Sequence, residues 1–433
     1  MGFTFKALGG GTEVLPGRGP LIILAAGDAN PDINSTWNDT RKIVKIVYNG
    51  FVNAMDYTDD DIFLIMGQSS IDIDDDGAED PGVVDHSQMT KTVVSAAMED
   101  FVRQRYKEGE TLYLWIIGHG GHDERTAQFK LAQSQGEYLD DLALDTLLTR
   151  FQIDQKCDSM VIFIETCFAG SFNRQLDGDG RKIVMAAEDR FVHWGQNGEF
   201  FSSLLIDRLK IPWSLGKAFK DVKVTMKNRA SFIKQKPRLD ADGDGTATWS
   251  ERDLVNDFYV GGISATAARP PSIISHTSGG RLTGESIVFE IKANSLNAFD
   301  SAWASIVRPD FDPEEIAAYF TGEKETYEQQ VELVNMKESA DEKGKFTGIW
   351  RNYDIDGSYE VIFHVRDAKG MTSASDPVIF RKGNTPFVRP DTDKSIYGAS
   401  DQIEMKLSLG GKRRGRYLRR APLSGRNHSS PNP

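Results

Sequence analysis

Short apolar runs recur through the first half of the chain, each closed by glycine or a polar residue: Leu21–Ala26, Ile62–Met66, Leu112–Ile117, Met160–Ile164 and Ile183–Ala187. A strand buried on both faces has this pattern. Between the first four lie stretches whose apolar residues fall three or four apart, about Trp37–Ala54, Met89–Tyr106 and Leu139–Phe151, and this spacing predicts helices with one buried face. Strand alternating with helix predicts an α/β fold, a mainly parallel sheet with helices on both faces, whose ligands meet the carboxyl ends of the strands.

From about residue 272 the period changes to two. Ile287, Phe289 and Ile291 share a face, as do Trp303, Ser305 and Val307, and then Tyr359, Val361, Phe363 and Val365. Turn pairs such as Asp356-Gly357 and Lys369-Gly370 separate the runs. Half-buried antiparallel strands alternate in this way, so residues 272–384 are expected to form an Ig-like β-sandwich. The expected organisation is a lead-in at 1–19, an α/β domain at 20–262, a linker at 263–271, the sandwich at 272–384, and a partial module with a basic tail at 385–433.

Composition narrows this picture. With 39 % hydrophobic and 27 % charged residues, the 433-residue chain can bury a substantial core. The net charge is −13, yet the last 28 residues hold eight Lys/Arg and no Asp/Glu, leaving −21 on the remainder. A body so acidic repels phosphate backbones, and no nucleic-acid partner is expected. No apolar run reaches the ~18 residues of a membrane span, and none at the start has the length of a signal peptide. Two cysteines, Cys157 and Cys167, cannot build a disulfide framework, which leaves a thiol for chemistry.

Two strand ends carry that chemistry. The third run leads into Gly118-His119-Gly120, and the fourth into Glu165-Thr166-Cys167. On neighbouring strands, the imidazole of His119 can take the proton of the Cys167 thiol, giving an activated nucleophile. The N–H groups of Gly120 and Cys167 can then form an oxyanion hole.

The chain also contains an acidic loop, Asp240 to Glu251. Asp240, Asp242, Asp244, Thr248 and Glu251 supply oxygen donors at positions 1, 3, 5, 9 and 12, with the Thr246 carbonyl at position 7 and Gly245 at position 6. That is the twelve-residue spacing by which oxygens close around Ca²⁺. Asp72, Asp74 and Asp76, followed by Gly77, form a second and shorter copy without the final glutamate.

The Gly118-His119-Gly120 turn and the Phe163–Ser171 block resemble the His and Cys blocks of the legumain family of cysteine peptidases, in the caspase-like clan. The similarity extends to Glu188-Asp-Arg190, Gly198–Leu204 and Ser214–Phe219, and covers roughly residues 20–260. It implies a caspase-like fold and peptide-bond hydrolysis through a thioester, with Cys167 as nucleophile and His119 as general base and acid. It also implies that Arg41 reads the side chain preceding the scissile bond, with Ser202 or Ser203 along one wall, and that Leu176–Arg181 is a processing loop. Bacterial relatives often carry a β-sandwich after the peptidase domain. Plant and animal legumains have Asp before the His and Glu after the Cys, where this chain has Gly118 and Phe168, so Asn, Asp or a basic residue before the scissile bond all stay open.

The functional expectation is a legumain-like cysteine endopeptidase with Ca²⁺ loops, acting as a monomer on peptide or protein substrates outside a bacterial cell or at its surface. A close variant is a ligase, in which an amine resolves the thioester. The alternative is a non-catalytic calcium-binding surface or adhesion protein with an inert caspase-like domain.

Overall fold

A computed structural model describes residues 18–26, 35–66, 71–73, 78, 89–122, 126–132, 136–188, 199–211, 213–232, 235–262, 270–312, 331–368, 371–383, 388–392 and 405–409. The lead-in, most of the expected linker and the basic tail lie outside them.

The chain opens with β1 (Leu21–Ala26), α1 (Ser35–Met55), β2 (Ile62–Met66), α2 (Lys91–Arg105) and β3 (Leu112–Gly118). Three short strands follow, β4 (Gly120–His122), β5 (Ala127–Ala132) and β6 (Glu137–Asp140), and pair antiparallel as a small sheet of their own. Then come α3 (Asp141–Asp154), β7 (Met160–Glu165), β8 (Arg181–Met185), α4 (Phe201–Leu209), α5 (Leu215–Lys227) and β9 (Arg238–Asp240). The main sheet has six strands in the order β2-β1-β3-β7-β8-β9, parallel except for β9.

The period of two along these strands sorts their side chains onto two covered faces. Leu21, Ile23, Tyr113, Trp115, Phe163 and Val184 join a core that also takes in residues of α1, α4 and α5. Ile22, Leu24, Leu114, Ile116, Ile162 and Ile183 join another, with residues of α2 and α3. Both faces are apolar because both are covered, which is why the sequence shows continuous runs rather than alternation. At Gly50, in the middle of α1, a Cβ would lie 2.6 Å from the Ile206 side chain, so this glycine lets α1 approach α4 closely.

The second half contains β10 (Ser272–His276), β11 (Gly280–Arg281), β12 (Ile287–Asn294), β13 (Phe299–Val307), β14 (Val331–Glu338), β15 (Lys345–Trp350), β16 (Gly357–Asp367), β17 (Thr372–Ala374) and β18 (Val378–Lys382). They form one nine-stranded sheet, continuous through β14, which pairs with both β13 and β15. The sheet curls around a core built on Phe289, Ile291, Trp350, Tyr359, Val361, Phe363 and Val365, the sandwich-like arrangement its alternation predicts. On β13 the core face is Ala302, Ala304 and Ile306, whereas Trp303, Ser305 and Val307 share the opposite face, as expected, and are buried as well. Further along the chain, β19 (Val388–Thr392) pairs antiparallel with β20 (Met405–Leu409). No helix among the described residues is long and apolar enough to cross a membrane.

Candidate active site and acidic loop

β3 and β7 are hydrogen-bonded neighbours in parallel register, with Ile117 opposite Glu165. The segments that leave them, Gly118-His119-Gly120 and Thr166-Cys167, therefore emerge side by side at the carboxyl edge of the sheet. Glycine is required twice in this turn. Gly118 has φ +151°, and a Cβ there would lie 2.2 Å from the Ala26 carbonyl oxygen; at Gly120 a Cβ would lie 2.0 Å from the carbonyl oxygen of Cys167 itself. Only a residue without a side chain lets the histidine strand pass so close to the cysteine backbone.

Cys167 and His119 are 3 % and 8 % exposed, so both candidate reacting groups are sheltered from bulk water. Burial, assisted by the nearby Lys130 charge, lowers the His119 pKa to about 4, which leaves a neutral imidazole able to accept a proton at neutral pH. The residue after the cysteine, Phe168, sits in the left-handed region at φ +59°, an uncommon conformation for a bulky side chain, and its ring meets the His122 ring edge-on with centroids 4.5 Å apart. Cys157 contributes differently: it is buried beside Tyr106, and burial pushes its thiol up to about 12, an inert packing residue.

Glu165, which sequence reasoning gave no role, ends β7 two residues before Cys167 and is 1 % exposed. Its two carboxylate oxygens accept hydrogen bonds from the backbone N–H groups of Phe201 and Ser202, each at 2.9 Å, at the N-terminus of α4. Burial nevertheless raises its pKa to about 7 against those donors and the Ser202 hydroxyl. The signal for it was a carboxylate closing an apolar strand, and its partners lie 36 and 37 residues further along the chain.

Ser202 is fully buried, and its hydroxyl accepts from the Trp115 indole N–H at 2.7 Å. Trp115 is in turn stacked on Phe163, with ring centroids 3.9 Å apart. The Ser203 hydroxyl closes on the Phe200 backbone, accepting from its N–H at 2.7 Å and donating to its carbonyl at 2.8 Å. Both serines thus brace the start of α4. Arg41 lies half-buried in the second turn of α1, the helix that packs against α4.

The acidic loop begins at the end of β9, on the edge of the same sheet. Carboxylate oxygens of Asp240, Asp242 and Asp244 lie within 4.8 Å of one another, a cluster able to hold a divalent cation. Asp240 is buried and accepts from the N–H groups of Gly243 (2.7 Å) and Gly245 (2.9 Å). Gly243 and Gly245 have φ of +73° and +80°, so the loop turns on two glycines, of which the spacing placed the second. Glu251 reaches back from the twelfth position, its carboxylate accepting from the N–H groups of Ala241 and Thr248. Burial, then repulsion from Glu251 and Asp244, raises the Asp240 pKa, a charge imbalance that a cation would relieve. Each of these oxygens keeps a second lone pair for a metal, so the donor set fits one. Thr246 and Thr248 follow within the loop, the Thr246 N–H donating to Asp244 at 2.7 Å. Of the shorter copy, Asp72 is half-buried, and Asp74 and Asp76 lie outside the described residues.

The acidic loop rests on residues 174–181. The Gly178 N–H donates to the Gly243 carbonyl at 2.8 Å, and Arg181, 2 % exposed, bonds Asp145, Thr149, Gln152 and the carbonyls of Leu176 and Asp177. The stretch expected as a processing loop is therefore anchored at both ends, with only Asp177 and Asp179 exposed.

Residues 90–259 match the model of the Peptidase C13 family. No curated protein matches the chain. Among solved structures, the dimeric latent PorU of Porphyromonas gingivalis is similar at 16 % identity over 29 % of this chain, with a TM-score of 0.18, and the match spans only 12 % of that protein's chain. Catalytically inactive OgpA of Akkermansia muciniphila, solved with an O-glycopeptide substrate, is similar at 10 % identity over 85 % of this chain and 94 % of its own, with a TM-score of 0.23. Residues 90–259 thus form a domain of the Peptidase C13 family, the legumain-type cysteine endopeptidases of the caspase-like clan.

Proposed function

We propose that this protein is a cysteine endopeptidase whose nucleophile is Cys167 and whose general base and acid is His119. The observation that carries the reading is the contact of Gly120 with the Cys167 backbone at the tips of neighbouring strands, inside the family-matched segment. The Cys167 sulfur attacks the carbonyl carbon of the scissile peptide bond as its proton passes to His119. The resulting oxyanion is held by the N–H groups of Gly120 and Cys167. Collapse breaks the C–N bond, and His119 gives its proton to the departing amine. Water then attacks the thioester, losing a proton to His119, and the C–S bond breaks to restore the thiol and release the acid. If an amine takes the place of water, the same steps make a new peptide bond.

In this reading Arg41 recognises the side chain before the scissile bond, the guanidinium suiting a carboxylate or amide through its two-pronged donor geometry, and Ser202 supports that wall from behind through Trp115. Asp240, Asp242 and Asp244, with the Thr246 carbonyl, Thr248 and Glu251, hold Ca²⁺, which fastens the acidic loop to the domain; Asp72, Asp74 and Asp76 are a second candidate group. Loops of this type fill where calcium is abundant, which suits a protein working outside a bacterial cell on peptide or protein substrates. The domain boundary is placed at 262 and the sandwich at 272–384.

The test is hydrolysis of a peptide library, with Asp, Asn, Arg or Lys before the scissile bond, by wild type and Cys167→Ala, each with Ca²⁺ and with chelator. Cleavage lost in Cys167→Ala, with the fold retained, is the expected result. Cleavage unaffected by that change rejects the assignment, and absence of cleavage by folded wild type favours the calcium-binding surface protein. Adding an amine nucleophile and analysing products separates hydrolase from ligase.

A further inference from the structure

β13 and β16 are buried on both faces. One face, with Ala302, Ala304, Ile306, Val361, Phe363 and Val365, is the sandwich core. The other carries Trp303, Ser305, Ile362 and His364, none more than 7 % exposed. A sandwich standing alone turns such a face to water. Here the α/β domain covers it. His364 Nε2 lies 3.8 Å from Glu199 Oε1, and Glu199 is ion-paired with Arg229, both nearly fully buried. Arg366, on the same strand as His364, acts on Asp207 of α4 and on Lys210 just beyond it. The charges of Glu360 and Asp376, both of the sandwich, favour the charged form of Arg229.

The face is built for this contact. Ser305 Oγ and His364 Nε2 share a hydrogen bond at 2.9 Å, the indole of Trp303 lies parallel to the imidazole with centroids 4.8 Å apart, and Arg366 sits over the indole. Tertiary packing and a hydrogen bond thus fix the ring that faces Glu199. Burial, then the charges of Arg229 and Arg366, lower the His364 pKa, so the imidazole is neutral and adds no charge beside the Glu199–Arg229 pair.

What Glu199 leads into gives the contact its meaning. Phe200 follows it, then the two amides that hold Glu165, and Glu165 stands two residues before Cys167. We propose that Glu199 and His364 are positioning residues, through which the sandwich fixes the start of α4 and hence Glu165 and the end of β7 that leads into Cys167. The sandwich is then a working part of the peptidase. This rests on the assignment of Cys167 as nucleophile, and the experiment separates the two.

The full-length wild type, His364→Phe and Glu199→Gln are compared in two ways: KM and kcat on the best library peptide, and backbone hydrogen exchange of residues 199–206. His364→Phe keeps a ring against Trp303 and removes Nε2; Glu199→Gln keeps the shape and removes the charge. Each variant is expected to raise KM at least fivefold with kcat within threefold, and to speed exchange at the Phe201 and Ser202 amides at least tenfold while β3 and β7 stay protected. Unchanged KM and exchange in folded variants overturn the proposal, as does faster exchange confined to β13 and β16. If wild type cleaves no peptide, the peptidase assignment fails, and the exchange measurement alone decides whether the sandwich holds the start of α4.

Discussion

The carboxylate of Glu165 is held by the Ser202 amide at 2.9 Å, joining the end of a central strand to the first turn of a helix 37 residues later in the chain. The carboxyl is buried, and its pKa stands near 7. In the unfolded chain the value is about 4.3. Because the folded value is raised, the unfolded state gives up its proton first, and stability from this group falls as pH rises from about 4 through 7. Glu165→Gln removes that dependence. Thermal unfolding at pH 5 and pH 8 is expected to show the wild-type advantage over Glu165→Gln shrinking by roughly 2–3 kcal/mol at the higher pH. An advantage that is constant with pH contradicts this.

His119 moves in the opposite sense, from the ordinary ~6.5 of an imidazole to about 4. A base whose folded value is lowered destabilises the fold as pH drops below ~6.5, because the unfolded chain then binds the extra proton. For activity, the free enzyme keeps a neutral base well into acid. The acid limb of kcat/KM against pH is expected near 4, and His119→Asn is expected to lower kcat by a factor on the order of 10³. An acid limb at ~6.5 would show that the imidazole is solvated in the working enzyme.

Gly120→Ala tests the contact that brings the two strand tips together. The added methyl would sit 2.0 Å from the Cys167 carbonyl oxygen, with the Thr166 side chain also within 3.0 Å. These neighbours belong to the backbone and a fully buried side chain and cannot swing aside, so the strands must part. Expected losses are about 2 kcal/mol or more of stability and at least ~100-fold in kcat/KM. A thiol-reactive probe is expected to label Cys167 faster in the variant, because the substitution opens its shelter.

The acidic loop makes a prediction independent of peptide cleavage. Trp249 is about half exposed and lies between Thr248 and Ser250 within the loop. Tb³⁺ bound in place of Ca²⁺ is expected to luminesce when Trp249 is excited, and Ca²⁺ to quench that signal by displacement. Asp242→Ala should weaken both ions by at least tenfold while leaving the fold intact. Ca²⁺ at 100 times its dissociation constant should stabilise the protein by about 2.7 kcal/mol, a gain lost in the variant. Absence of sensitised emission would mean that the cluster holds no ion of this class.

Five strands of the main sheet were legible because strands covered on both faces must be apolar throughout, and Leu21–Ala26 and Ile62–Met66 agree with expectation to the residue, whereas the short polar β9 was not foreseen. α1, α2 and α3 were legible from spacing, with ends shifted by one to three residues, as for α3 at Asp141–Asp154, whereas α4 and α5 were not read as helices. β4, β5 and β6 were not foreseen, since Gly120–His122 and Glu137–Asp140 are too short and polar to show a period. On β13 the alternation gave two faces without saying which was the core, and Trp303 went to the domain contact because the α/β domain supplies its cover. The turn at His119 and the block at Cys167 were legible as local motifs. Glu165 and Glu199 were not, because what each touches is supplied by distant segments: Phe201 and Ser202 for one, Arg229 and His364 for the other.

Arg181 and the Gly178 to Gly243 hydrogen bond give the segment around Asp177–Asp179 an unusual mechanical standing. A single scission there would leave one new chain end held by Arg181 through the Leu176 and Asp177 carbonyls, and the other carried on β8, which Arg181 opens and which has neighbours on both sides. The two fragments would separate on a denaturing gel yet migrate as one particle under native conditions. Covalent continuity and structural integrity are uncoupled at this point, so a nicked chain would retain the shape, and the sheltered thiol, of the intact one.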